Sequence, residues 1–221
     1  MARRPAARLD RIVAGLGLFA AFIPIDWAGS FGVLGIGLYL ALTGGPGTAE
    51  RRLAIVLLTL TATLIWGRVL LRLVGPSLLN LDAGFVGMLS GTGASGNLVG
   101  FRGGGHFIVG PPCSSLHNIS LAVLFWGSLG QLLRQPVTWR SLLVCLAGMA
   151  TMLAANLLRL TLIALYPDAF DWLHDGGGAQ IFGWSAILFS SLVIFYGFAL
   201  LANPARRHGA APAAAGAEPR P

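Results

Sequence analysis

Long apolar runs separated by short polar breaks dominate the chain. The runs fall at about 12–27, 29–43, 53–75, 115–133, 141–166 and 180–202, and few charged side chains interrupt them. A helix crossing ~30 Å of hydrocarbon needs ~20 residues at ~1.5 Å each. The last four runs meet that length. The first two are shorter and parted only by a turn near Asp26–Ser30, so they can also be read as one bent element. The pattern predicts an all-α polytopic membrane protein with about six transmembrane helices.

The polar breaks differ in character. The longest, about 76–112, is rich in glycine and moderately apolar. It is expected to be a loop with short strands or a re-entrant piece, Phe107–Val109 being the best strand. The break at 166–179 carries Asp168, Asp171, His174 and Asp175 ahead of Gly176-Gly177-Gly178, a flexible approach to the last run. Residues 203–221 are rich in Ala, Pro, Gly and Arg and are expected to form a disordered tail. Residues 1–202 then form a single integral-membrane domain without an internal repeat. No cleavable signal peptide is evident, because the first run lacks a small-residue cleavage site and more runs follow.

Composition sharpens this reading. Hydrophobic residues make up 55% of the chain and charged residues only 10%, against roughly 25% charged in soluble domains. The net charge of +7 comes from 15 arginines and no lysine, a usage that suits a GC-rich bacterial genome. The arginines form no stripe with interleaved aromatics, which argues against a nucleic-acid partner. With six spans and the N-terminus inside, Arg3, Arg4, Arg8, Arg11, Arg51, Arg52, Arg134, Arg140, Arg206, Arg207 and Arg220 are cytoplasmic, eleven of fifteen. Only Arg102 lies in an outer loop. This positive-inside bias favours six spans with both termini cytoplasmic, and merging the first two spans would spoil it.

Some patterns carry no chemistry. Gly91, Gly93 and Gly96 match a dinucleotide-binding spacing, but no strand–turn–helix unit surrounds them. Asn118-Ile119-Ser120 matches a glycosylation sequon but opens a span. His208 falls in the solvated tail, and Met88, Met149 and Met152 read as packing residues.

The two cysteines lie toward opposite ends of neighbouring spans, of order 20 Å apart, whereas bridged Cα atoms lie within ~7 Å. Cys145 reads as a small buried apolar residue. Cys113 follows Pro111 and Pro112 and precedes Ser114 and Ser115, either a good helix N-cap. The free N–H groups and dipole at a helix start stabilise a thiolate. A nucleophilic thiol needs a proton acceptor and an oxyanion stabiliser. His106, His117 and His174 can all reach the outer face. His106 is the weakest by position, and the chemistry alone leaves His117 and His174 open. Arg159 lies 18 residues into the fifth span, about 27 Å along it and level with Cys113, with Asn156 one turn away. A cation within a span is a functional candidate by default. Arg68 and Arg72, at the outer end of the third span, read as snorkelling residues or as anchors for an anionic partner.

Taken together, these motifs resemble the exosortase/archaeosortase family. Cys113-Ser114-Ser115-Leu116 is similar to the family's cysteine motif, Asn156-Leu157-Leu158-Arg159 to its N-x-x-R motif, and His174 to its catalytic histidine. The resemblance covers about residues 76–185, the catalytic part. The chain carries Ser115 where the family more often carries glycine, and six spans where eight are common. The resemblance implies a membrane-embedded cysteine protease/transpeptidase of the bacterial inner membrane, with its active site at the periplasmic face. Cys113 would be the nucleophile, Arg159 the oxyanion stabiliser and His174 the acid–base. Asn156, His117 and Ser114 would support them, without metal or cofactor. Its substrates would be secreted proteins with a C-terminal sorting signal: a short motif, a hydrophobic span and a basic cluster. The acceptor would be an envelope lipid or glycan. A thiol redox protein and a non-catalytic transporter or assembly protein are the competing classes.

Overall fold

The computed structural model describes residues 8–25 and 27–202. The expectations on the 203–221 tail, His208, Asp26, Arg3, Arg4, Arg206, Arg207 and Arg220 lie outside the described residues. The chain is helical with one small sheet. Its helices are α1 (Arg8–Phe22), α2 (Ala28–Thr43), α3 (Ala49–Thr61), α4 (Gly67–Ser90), α5 (Ser115–Leu132), α6 (Trp139–Leu165), α7 (Phe170–His174) and α8 (Gly177–Ala202). A π turn, Ala62–Trp66, joins α3 and α4 into one continuous rod. Among the described residues, three helices are long and apolar enough to cross a membrane: Ala49–Ser90, Trp139–Leu165 and Gly177–Ala202. Helix α2 is apolar but shorter. This is a membrane protein of the all-α class.

Close backbone approach at small residues organises the bundle, as expected where lipid removes the usual hydrophobic drive between helices. A Cβ on Gly148 would sit 2.7 Å from Ile194, and one on Gly197 2.7 Å from Val144, which locks α6 against α8 antiparallel. Gly32 lies against Ala20 and Gly17, so α1 and α2 form a hairpin of two helices rather than one bent element. Arg68 and Arg72 hold their guanidinium carbons 6.0 and 5.0 Å from the Trp27 ring centre, which ties α4 to the α1–α2 turn by cation–π contact.

One expectation is corrected. Residues 76–90 are not loop: the helix continues through Pro76 to Ser90. At 42 residues the rod is about 63 Å long, more than a whole bilayer, so it must project beyond the hydrocarbon. Proline is tolerated inside such helices because neighbouring groups satisfy the freed carbonyl. The helical signal was present as Leu79, Asp82, Ala83, Val86 and Gly87, a buried stripe at three- and four-residue spacing.

Three strands pack on this projecting end: β1 (Ala94–Ser95), β2 (Leu98–Gly100) and β3 (His106–Ile108), antiparallel in the order β1-β2-β3. Val99, Phe107 and Val109 are buried and join Leu79, Val86 and Leu160 in an outer core. Val109 N–H donates to Asn97 O at 2.8 Å, and Phe101 N–H to Gly105 O at 3.1 Å. Antiparallel pairs alternate, so the backbone groups of His106 and Ile108 face away from β2.

Candidate active site

Cys113 ends a 3-10 turn, Pro111–Cys113, and α5 begins at Ser115. The two prolines, at the first positions of that turn, pre-set its φ angles. Of the two serines, Ser114 is the cap: its backbone is extended and its hydroxyl accepts from Leu116 N–H at 3.2 Å. The thiol is 5% exposed and belongs to the outer core with Val109, Ile163 and Leu173.

The sulfur meets a histidine 61 residues away. Cys113 Sγ lies 3.3 Å from His174 Nε2. On the far side of the same ring, Nδ1 lies 2.7 Å from Asp175 Oδ2. A carboxylate there accepts the Nδ1–H and leaves the Nε2 lone pair toward the sulfur. Phe170 stacks on the imidazole, with ring centres 4.9 Å apart and 12° between planes. The glycines after His174 serve packing more than flexibility. Gly177 and Gly178 are already helical, and a Cβ on Gly178 would lie 2.6 Å from the Trp172 ring.

His117 is exposed on α5. The i, i+4 relation to Cys113 would need the cysteine to be helical, but Cys113 precedes the cap. His106 is exposed on β3.

Asn156 links three parts of the site. Its Nδ2 donates to Cys113 O at 2.8 Å and to Ser115 Oγ at 3.2 Å, and its Oδ1 accepts from Arg159 Nη2 at 3.4 Å. Arg159 and Asn156 line a cavity of about 180 Å³ with Pro112 and Asn118, and no carboxylate lines it.

The amides expected to face the thiol are already committed. Cys113 N–H donates to Gly110 O, Ser114 N–H to Pro111 O and His117 N–H to Ser114 O. Ser115 N–H donates to Asp82 Oδ2 at 2.9 Å, and Leu116 N–H to its own cap. Support for a thiolate from these donors is therefore weaker than the sequence suggested. His174 is the group left beside the sulfur, and the Arg159 guanidinium reaches the site through Asn156, over a long bond of 3.4 Å.

Sequence reasoning missed Asp82, which it placed in a loop. The residue is 6% exposed on α4, and its carboxylate caps α5 from 33 residues upstream. A lone acid inside the 79–87 apolar stripe was the available signal. Asp82→Ala is expected to cost about 1–3 kcal/mol, the penalty for stranding a buried donor. A thermal melt of the purified protein in detergent measures it, and an unchanged melting temperature would refute the capping role.

A family model described as transmembrane exosortase (Exosortase_EpsH) matches residues 4–191. No curated protein and no solved structure matches the chain.

Proposed function

The chain belongs to the transmembrane exosortase family, and from that membership and the Cys113–His174 contact we propose a cysteine protease/transpeptidase. It acts on secreted proteins that end in a sorting signal, at the outer face of the bacterial inner membrane. The observation that carries the reading is the 3.3 Å approach of a buried thiol to an imidazole whose other nitrogen is held by a carboxylate. Nucleophile, base and orienting group in that order form the arrangement an activated nucleophile requires.

The chemistry of this reading runs in two half-reactions. His174 Nε2 takes the Cys113 proton, and the thiolate attacks the scissile carbonyl carbon. Negative charge develops on the carbonyl oxygen, where Arg159 donates to it. The C–N bond breaks as His174 returns the proton to the leaving amine, which forms a thioester on Cys113. An acceptor hydroxyl or amine of an envelope lipid or glycan then attacks. His174 takes its proton, and the thiolate leaves. Asp175 holds the ring through both half-reactions, and Asn156 holds Arg159 and the Cys113 carbonyl together. The outward backbone groups of β3, five residues before Cys113, offer an extended peptide a place to pair.

The redox and transporter readings find less support. Cys145, the second thiol, is buried beside Met149 on α6, and both cysteines are free. Trapping separates the classes: co-expression with a candidate substrate is expected to yield an adduct on Cys113 that hydroxylamine releases and a phosphine reductant does not. A mixed disulfide in its place would assign the protein to redox chemistry.

A further inference from the structure

A basin lies at the opposite end of the bundle from Cys113. It has a volume of about 550 Å³ and sits between the turn before α3 and the α5–α6 connection. Arg51, Arg52 and Arg134 line it, together with Gln131, Ile55 and Pro136, and no carboxylate does. The nearby acids Glu50 and Asp10 line a separate cavity on the α1–α2 side.

Two details mark the basin as more than a cluster of positive-inside charges. Arg52 Nε is buried and, among the described residues, has no hydrogen-bond partner. A buried guanidinium N–H without an acceptor is costly and calls for an anion or ordered water. Arg134 is the one described non-glycine residue with positive φ, 54°. Such a backbone persists only where its surroundings hold it. Here the turn is closed by Arg134 N–H donating to Gln131 O and Gln135 N–H to Gly130 O.

The surroundings point to a lipid. Trp139 is 66% exposed at the start of α6, and the Arg140 guanidinium carbon lies 5.4 Å from its ring centre. Exposed tryptophan and arginine at a helix end mark the headgroup level of a membrane. Ile55 and Val137 add apolar lining beside the cations. We propose that this basin binds the phosphate of an anionic lipid headgroup, with Arg52 and Arg134 as its main donors. Three cations, an unpartnered buried N–H and an apolar flank suit a phosphodiester at the interface. The site is independent of the Cys113 chemistry.

The test uses the full chain purified in neutral detergent, with retained phosphatidylglycerol or phosphatidylcholine measured by native mass spectrometry. The wild type is expected to retain phosphatidylglycerol in preference. The double variant Arg52→Gln, Arg134→Gly is expected to lose about tenfold or more of that retention. Arg140→Gln, outside the basin, is expected to change it little. Glycine adopts positive φ without strain, so Arg134→Gly alone removes the cation while keeping the turn, and it should show part of the loss if the double variant folds poorly. Equal retention by wild type and Arg134→Gly would overturn the proposal. Inorganic phosphate at millimolar concentration should fail to displace the lipid; full displacement would reassign the site to a soluble anion.

Discussion

Cys113→Ala is expected to abolish processing of a co-expressed secreted substrate while the protein still inserts into the membrane. No other described thiol is placed to substitute, since Cys145 lies with Met149 in a different core cluster. His174→Ala should lower processing by about 10²–10⁴-fold, the range for a positioned acid–base. His117→Ala, on the exposed face of α5, should leave the rate within about threefold, as a surface substitution away from reacting atoms does. Pulse-chase labelling of the substrate, with membrane levels of each variant measured in parallel, reads all three. Full processing by Cys113→Ala would remove the enzyme assignment. Loss in His117→Ala alone would move the base to that residue and make the 3.3 Å contact of His174 structural. Asp175→Asn gives a finer check. It keeps the side-chain shape but not the carboxylate on Nδ1, so a fall in rate without a fall in membrane level identifies Asp175 as orienting the ring.

The second large effect concerns Arg159. The amides around Cys113 are committed to Gly110, Pro111, Ser114 and Asp82. The oxyanion of the proposed mechanism must therefore find its donors elsewhere, and Arg159 carries N–H groups beyond the one bonded to Asn156. Arg159→Gln is expected to reduce the processing rate by about 10²–10³-fold, the usual loss for one such donor. Lysine is expected to restore little, because a point charge on a flexible stem does not reproduce the fork that reaches both Asn156 and an oxyanion. Asn156→Ala should be worse for the fold than for charge: it strands the Cys113 carbonyl and the Ser115 hydroxyl. A melt in detergent together with the rate distinguishes the two variants. Arg159→Gln should keep the melting temperature and lose rate, whereas Asn156→Ala should lose both. Wild-type rates in Arg159→Gln would assign the arginine to anchoring at the membrane surface.

Much of this was legible from one-dimensional pattern. Long apolar runs have a single economical structure in a bilayer, the helix, because every backbone polar group must be satisfied within it. Membrane class and helix positions therefore follow from hydropathy, and the helices α5, α6 and α8 lie within a few residues of the expected spans. The turn chemistry of Pro111-Pro112-Cys113-Ser114 is equally local, which is why a cap beside the thiol could be read directly. Asn156 and Arg159 share a face by helical spacing alone.

What the sequence could not decide depended on contacts between distant segments. His117 is four residues from Cys113 and His174 is sixty-one, yet the nearer one fails to meet the sulfur because the helix starts after the cysteine. Proline at 76 reads locally as a stop, and only the sheet and outer core packed on residues 79–87 show why the helix continues. Asp82 capping α5, and the resulting loss of free amides at the thiol, are visible only when α4 and α5 stand side by side. Hydropathy and capping act over a few residues and are written in order along the chain. The partner of a buried polar group is chosen by tertiary proximity, and one sequence carries no direct record of that.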